Sequence, residues 1–211
     1  MESKNSLKLI LIGGIIISVA AVYYLNNQTK LLQPQNKTEK KEEEEDCTIN
    51  TQNLSPTNGV AMMAYYPCTW IFSTVNNNNF TFAAQALSTI NRNCSLSMLL
   101  TIMDIGEQLS ESSIDEATSE EYLREKATNY GEFISINKMS IDGVKGDELI
   151  TKKELRSGAT MYSHIAHFYY KKFLITLTYA VTSPLKDEAH SIFQQYKTNF
   201  KKLIYKTDFE N

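Results

Sequence analysis

The feature that most constrains this chain is an apolar segment near its start, residues 7–25, which reads LKLILIGGIIISVAAVYYL and carries one charge, Lys8. An α-helix rises about 1.5 Å per residue, so a segment of this length can just cross a hydrocarbon core about 30 Å thick. Tyr23 and Tyr24 end the segment with aromatic side chains, which are enriched at membrane interfaces. The pattern predicts that residues 7–25 contact membrane lipid as a single transmembrane helix.

A second interpretation of the same segment stays open. Lys4 and Lys8 give it a positively charged start, and the small residues 18–20 resemble a signal-peptidase site. Cleavage there would produce a secreted or periplasmic protein. In the anchored form, the positive charges nearest the helix predict that residues 1–6 lie in the cytoplasm and that the rest of the chain lies outside it.

Residues 26–55 are predicted to form a disordered acidic tether. The segment is polar, includes the charged run from Glu39 to Asp46, and has almost no apolar residues after Leu32. Such a composition cannot bury enough apolar surface to fold. Residues 56–211 then have a suitable length for one compact globular domain.

The charge balance of the chain argues against nucleic acid as a partner. The formal net charge is −3 at pH 7, with Lys and Arg slightly outnumbered by Asp and Glu. Binding to nucleic acid depends on neutralising phosphates with Lys and Arg, and this chain has no basic excess for that purpose.

Hydrophobic patterning predicts an α+β domain, with an antiparallel sheet flanked by helices. A capping box from Thr118 to Glu121 predicts a helix that ends at Gly131. Ser183-Pro184 is predicted to open a last helix, whose apolar stripe packs on the sheet. The later strands are separated by short turns, so consecutive antiparallel pairing is the economical topology. Strands are expected at 60–64, 69–75, 80–82, 95–105, from 133, and at 146–155, 160–170 and 173–181.

The order of these elements resembles the PsbP-like domain family over residues 60–205. The resemblance is carried by Tyr66-Pro67-Cys68-Thr69-Trp70, by the turn at 141–146, by the hairpin at 168–179, and by the final helix ending near Phe200. It implies an α/β/α sandwich shared with the extrinsic photosystem II protein, a Ran-release factor and exported bacterial proteins. It also implies a domain that docks to larger assemblies and has no enzymatic activity.

No motif in the chain predicts catalysis, a cofactor or a metal site. A nucleophile elbow, a phosphate loop and a dinucleotide fingerprint are all lacking. His164 and His167 are the only close histidine pair, and on a strand residues three apart point to opposite faces. They therefore cannot both ligate one ion, and the interpretation is of two strand histidines that are exposed or half-buried.

The three cysteines lack the spacing of a metal site. If the domain lies outside the cytoplasm, Cys68 and Cys94 could form a disulfide between neighbouring strands, which would leave Cys47 unpaired in the tether. The alternative is that these cysteines are simple buried thiols.

Aromatic residues crowd two adjacent predicted strands, and Tyr162, Phe168, Tyr169 and Tyr170 are the candidates for a partner-docking patch. Two interpretations compete, because such side chains can form core beneath the final helix or an exposed contact surface. The leading hypothesis is a membrane-tethered, non-catalytic module that docks to an unknown protein partner or envelope assembly. The alternatives are an accessory subunit of a large membrane complex and a carrier of a small ligand.

Overall fold

The computed structural model describes residues 45–51, 60–75, 80–91, 93–126 and 130–209. The predicted transmembrane segment 7–25 and most of the predicted tether lie outside these residues. Among the helices that are described, none combines the length and the apolarity needed to span a bilayer.

The described residues form two antiparallel sheets and three helices. The larger sheet has seven strands in the order β3-β4-β5-β9-β8-β7-β6, and the smaller has three in the order β1-β2-β10. The elements in chain order are β1 Asp46–Asn50, β2 Met62–Pro67, β3 Ile71–Thr74, β4 Phe82–Thr89, β5 Ser95–Asp104, α1 Glu111–Ala117, α2 Glu120–Lys126, β6 Glu132–Ile141, β7 Val144–Glu154, β8 Thr160–Tyr170, β9 Phe173–Ser183, α3 Lys186–Tyr205 and β10 Asp208–Phe209.

The prediction of an α+β fold with an antiparallel sheet flanked by helices is confirmed. Strands β6 to β9 pair consecutively, as their short connections predict. Asp142 and Gly143 both adopt positive φ, at 52° and 80°, which is the conformation of a tight type I′ hairpin turn. Lys171 takes a positive φ of 55° in the equally short turn between β8 and β9.

One face of the large sheet is covered by α3 and by the small sheet. Phe200 of α3 stacks on Tyr179 of β9 at a ring-centroid distance of 5.3 Å and meets the edge of Trp70 at 6.3 Å. The opposite face packs against α1 and α2 through smaller apolar clusters. Because both faces are covered, all residues of β8 and β9 are buried.

The helix boundaries differ from the predictions. Residues 111–117 form a helix where a turn was expected, because the Ser110 side chain accepts a hydrogen bond from the Ser113 N–H and caps a new N-terminus. Thr118 is therefore a C-cap, and Ser119 accepts the Tyr122 N–H at the start of α2. The last helix begins at Lys186, after Leu185, and has no side-chain cap.

The boundary between tether and domain was predicted too late in the chain. Residues 46–50, assigned to the tether, form strand β1, which pairs with β2 in the register Cys47 to Tyr66. Ile49 of this strand is buried in the main core. One apolar side chain and a ladder of backbone hydrogen bonds are therefore enough to bring this polar segment into the fold.

The predicted disulfide between Cys68 and Cys94 is wrong. Cys47 bonds to Cys68, with Cα atoms 4.8 Å apart, and Cys94 is a buried free thiol. The reason is the pairing of β1 with β2, which places Cys47 beside the residue that follows β2. The Cys68 N–H also donates to the Glu45 carbonyl at 2.8 Å and closes this corner.

Candidate functional site

The aromatic residues predicted as a docking patch lie inside the protein. Tyr162, Phe168, Tyr169 and Tyr170 are all buried in β8. Phe168 and Tyr170 pack against Phe209 of β10, at ring-centroid distances of 5.1 Å and 5.5 Å. The docking patch is therefore wrong, because β8 is a central strand with both faces covered.

Two buried acid–histidine pairs connect β7 to β8. Asp147 and Glu148 are consecutive in β7, so their side chains point to opposite faces of the sheet. His164 and His167 also point to opposite faces, as predicted, and each meets one of the acids. His164 Nε2 lies 2.6 Å from Glu148 Oε1, and His167 Nδ1 lies 2.7 Å from Asp147 Oδ1.

On the face covered by α1 and α2, the pair extends to a third residue. The Tyr130 hydroxyl lies 2.6 Å from His167 Nε2. Both contacts of the imidazole are satisfied when Tyr130 donates to Nε2 and the Nδ1–H donates to Asp147. Burial, reinforced by the charge of Asp147, holds the pKa of Tyr130 well above its usual value, so this hydroxyl keeps its proton.

The same region holds polar atoms without hydrogen-bond partners. Among the described residues, nothing bonds to Asp147 Oδ2 or to the Tyr122 hydroxyl. Burial, with the nearby charge of Asp147, also raises the pKa of Tyr169. Polar groups therefore surround Asp147 on this face, and the carboxylate shares only one of its oxygens with His167.

On the face covered by α3, the second pair reaches the surface. Glu148 Oε2 accepts a hydrogen bond from the Tyr205 hydroxyl at 3.3 Å and lies 3.9 Å from Lys201 Nζ. The hydrogen bond from His164, with smaller contributions from Lys201 and Tyr205, holds the pKa of Glu148 below its ordinary value. Through Tyr205 and Lys201, this pair contacts the C-terminal end of α3.

The order Tyr130, His167, Asp147 has the pattern of a hydroxyl, a base and an orienting acid. However, Tyr130 and His167 are each only 2% exposed and Asp147 is fully buried. Among the described residues these three groups are enclosed, and the network joins β7 and β8 to the segment that follows α2. Within the described residues, no group of three or more His, Cys, Asp or Glu side chains could hold a metal ion.

The sequence predicted exposed or half-buried histidines, which is wrong because both lie in the covered central strand β8, and it gave no prediction for the acids. A signal was present, because two adjacent acids in one strand are matched by two histidines three residues apart in the next strand. Gly146 precedes the doublet, and a Cβ there would overlap the His167 carbonyl oxygen. A glycine before Asp147 therefore lets β7 approach β8 closely enough for both pairs to form.

Charge is distributed unevenly between the two edges of the large sheet. From Cys47 to Asn91 the chain has no Asp, Glu, Lys, Arg or His, and this stretch includes the edge strand β3. Ile71 of β3 is 59% exposed. The other edge strand, β6, carries Glu132 and Lys138 and has a bulge near Phe133. Charges and bulges protect edge strands from pairing, and β3 has neither. We call β3 with its exposed edge the β3 edge.

No protein-family model and no curated protein matches this sequence. Among solved structures, the chain is similar to cyanobacterial PsbP (CyanoP) from Synechocystis sp. PCC 6803, with 13% identity, a TM-score of 0.49, and coverage of 84% of this chain and 100% of that one. It is also similar to the Ran-binding protein Mog1p of Saccharomyces cerevisiae, with 12% identity, a TM-score of 0.40, and coverage of 78% and 95%. A PsbP protein is thus among the solved structures to which the chain is similar.

Proposed function

We propose that this chain is a non-catalytic protein-binding module that is held at a membrane by residues 7–25 and binds its partner through the β3 edge. The observation that carries the proposal is the open, uncharged edge of the seven-stranded sheet. The ionisable groups best arranged for chemistry are enclosed between β7, β8 and the helices, so the accessible features of the domain are those of a binding surface.

The composition of the β3 edge supports protein binding. Protein–protein interfaces are depleted in charged residues at their centre, and an unprotected edge strand offers backbone N–H and C=O groups to an added strand. Ser73 and Thr74 are exposed beside Ile71, and none of the three would lose a charge–water interaction on binding. The opposite edge would have to desolvate Glu132 and Lys138.

The disulfide supports a location outside the cytoplasm. Disulfides persist in oxidising compartments, and Cys47–Cys68 joins the first strand of the domain to the second. With residues 7–25 in a bilayer, the chain from residue 26 to 44 could hold the domain at most about 65 Å from the membrane. We propose this arrangement for the anchored form, with the domain on the non-cytoplasmic side.

Site-specific photocrosslinking in the full-length chain tests the binding surface. A photoreactive amino acid replaces Ile71 in one sample and Lys138, on the opposite edge, in the control. We expect a protein adduct from position 71 and none from position 138. Equal adducts from both positions, or none from position 71, would contradict the proposed surface.

Carbonate extraction tests the membrane attachment separately. The unmodified chain is expected to stay in the membrane pellet, and Ile15→Lys combined with Ile16→Lys should release it, because each lysine at a helix centre costs about 3 kcal/mol. Recovery of a soluble chain that begins after Ala20 would contradict the tether and would leave the binding surface unaffected.

A further inference from the structure

We propose that β3 pairs with β3 of a second copy of this chain, antiparallel and about a two-fold axis at Ser73, so that two seven-stranded sheets become one. This inference rests on the proposed function, because it names the partner of the β3 edge.

The backbone of β3 has N–H and C=O groups that do not bond to β4 and that could pair with the same groups of a second copy. The Val75 N–H donates to the Ala83 carbonyl at 2.8 Å, and the register pairs Ile71 with Leu87. Since residues in an antiparallel ladder alternate in their bonding, Ile71, Ser73 and Val75 bond to β4. Phe72 and Thr74 therefore turn their N–H and C=O groups away from β4.

A two-fold axis at Ser73 uses all of these outward groups. It places Phe72 of one copy opposite Thr74 of the other, and residues in such a pair exchange two hydrogen bonds. The symmetry repeats the pair, so the contact has four backbone hydrogen bonds in total. An axis at another residue of β3 leaves some of these groups without a partner.

The side chains of β3 are also compatible with pairing against β3 of a second copy. The axis at Ser73 brings Ile71 beside Val75 of the second copy and Phe72 beside Thr74, which are combinations of β-branched and aromatic side chains that stabilise sheets. Like charges directly opposite each other destabilise a sheet, and residues 69–82 carry no charge. Ile71, the most exposed large hydrophobic residue described, would be covered by the second copy.

The size of this contact determines where it should form. A four-residue edge buries less than the roughly 1,600 Å² of a standard stable interface, so it is weak between freely diffusing molecules. Attachment of both copies to one membrane raises their effective concentration without adding a contact. The dimer is therefore expected at the membrane and in concentrated samples.

The test is a cysteine substitution at the axis. In this arrangement the two Ser73 residues form a non-hydrogen-bonded pair with Cα atoms about 4.5 Å apart, which lies within the range for a disulfide. The native cysteines do not interfere, because Cys47 and Cys68 are bonded to each other and Cys94 is buried. Ser140→Cys, at an exposed serine of the opposite edge strand, is the matched control.

We expect mild oxidation of membranes that contain full-length Ser73→Cys to convert most of the chain to a reducible dimer, with Ser140→Cys remaining monomeric. Adding Thr74→Pro to Ser73→Cys should lower the dimer yield at least tenfold. Proline removes an outward N–H that β4 does not use, so the native sheet keeps its bonds. An unchanged melting temperature and an intact Cys47–Cys68 bond show that this variant folds.

The outcomes separate this inference from the proposed function. If Ser73→Cys stays monomeric and the photoreactive residue at position 71 captures a different protein, self-pairing is overturned and the proposed function stands. If neither experiment gives an adduct, both are overturned. Equal dimer yields from Ser73→Cys and Ser140→Cys would show random collision and would overturn self-pairing.

Discussion

The acid–histidine pairs of β7 and β8 fix the register of these two strands. Asp147 lies directly opposite His167, and Glu148 reaches His164 on the other face. A slip of β7 by one residue would move both acids to the wrong faces and break both pairs at once. A buried polar group that loses its hydrogen-bond partner is costly, so these pairs penalise registers that leave an acid or a histidine unpaired. Their role at the residue scale is therefore specificity of pairing.

Removal of the Tyr130 hydroxyl should destabilise the domain measurably. Tyr130→Phe leaves His167 Nε2 buried without its partner, which costs about 1–3 kcal/mol in the free energy of unfolding. Tyr205→Phe is the control, because this hydroxyl is on a side chain that is 45% exposed and its bond to Glu148 is long, at 3.3 Å. In urea titrations, the control should lose less than about 0.5 kcal/mol in the free energy of unfolding. Equal losses would show that the Tyr130 bond contributes nothing specific.

Stability at acid pH should depend on Glu148. Folding lowers the pKa of this carboxyl below its ordinary value of 4.5, so its contribution to the free energy of unfolding is present above that value and is lost as the pH falls below it. The difference between the unmodified chain and Glu148→Gln should therefore shrink from about pH 5 to about pH 3 in urea titrations. Glu107→Gln, at an exposed loop position, is the control and should leave the pH dependence unchanged. A difference that grows on acidification would contradict this assignment.

Side chains alternate between the two faces of a strand, so the sequence predicts that His164 and His167 point to opposite faces. The partner acids could not be predicted in the same way, because they lie on another strand and their distance depends on the register between β7 and β8. Tyr130 lies farther still, at the end of the segment that follows α2. Only the fold brings Tyr130, His167 and Asp147 together.

At the scale of elements, the small sheet is the part of the fold that is hardest to predict from the sequence. The segment 46–50 follows an acidic run and contains one strongly apolar residue, Ile49, so its composition is that of a tether. It becomes a strand because β2 offers it an edge and the disulfide holds it there. In contrast, β8 and β9 are long apolar runs joined by a short turn, and their boundaries were predicted almost to the residue.

Loss of the disulfide should weaken the domain by loosening β1. The bond joins residues that are 21 positions apart, and removing a cross-link over a loop of this length costs about 3 kcal/mol in the free energy of unfolding. The double variant Cys47→Ser, Cys68→Ser should show this loss in urea titrations. Reduction of the unmodified chain should reproduce it, whereas reduction of the double variant should change nothing.

Thiol labelling provides an independent check on the cysteine assignment. Burial, with a smaller contribution from the charge of Glu188, raises the pKa of Cys94 to about 11. We expect a maleimide at pH 7.5 to leave the native chain unlabelled and to label Cys94 alone after unfolding without reductant. Peptide mapping that finds label on Cys68 would contradict the Cys47–Cys68 bond.

The last helix should depend on one aromatic side chain more than on any exposed one. Phe200 is fully buried and contacts Trp70, Tyr179 and Phe193. Phe200→Ala would leave a cavity and should cost about 3–5 kcal/mol in the free energy of unfolding. Gln195→Ala, on the exposed side of the same helix, should change it by less than about 0.5 kcal/mol in the same urea titration. Similar effects of the two variants would mean that α3 does not pack through Phe200.

At the scale of the whole molecule, the chain divides into an uncharged stretch, residues 47–91, and charged stretches on both sides of it. The net charge of −3 conceals this division, because composition sums over the chain and not over surfaces. The order of strands in the sheet could not be predicted either, since β5 lies beside β9 and residues far apart in sequence meet there. Local patterns predict which segments are strands, and long-range packing decides which strands become edges.

The uncharged edge predicts that association is insensitive to salt. Ionic screening weakens contacts between charged surfaces, and the β3 edge has no charge to screen. The dimer yield of Ser73→Cys should therefore change less than about twofold between roughly 50 and 500 mM NaCl. A steep fall with salt would assign the contact to the charged part of the fold, where α3 and β6 lie.

The small sheet has a mechanical consequence for the protein. β1 and β10 lie on the two sides of β2, and a salt bridge of 2.8 Å between Asp46 and Lys206 joins the regions where the described fold begins and ends. A force applied between these two regions would load three short strands and one covalent sulfur bridge first. The seven-stranded sheet would carry tension only after the strands of the small sheet had separated. The core and its β3 edge would therefore keep their shape while the ends of the fold are pulled.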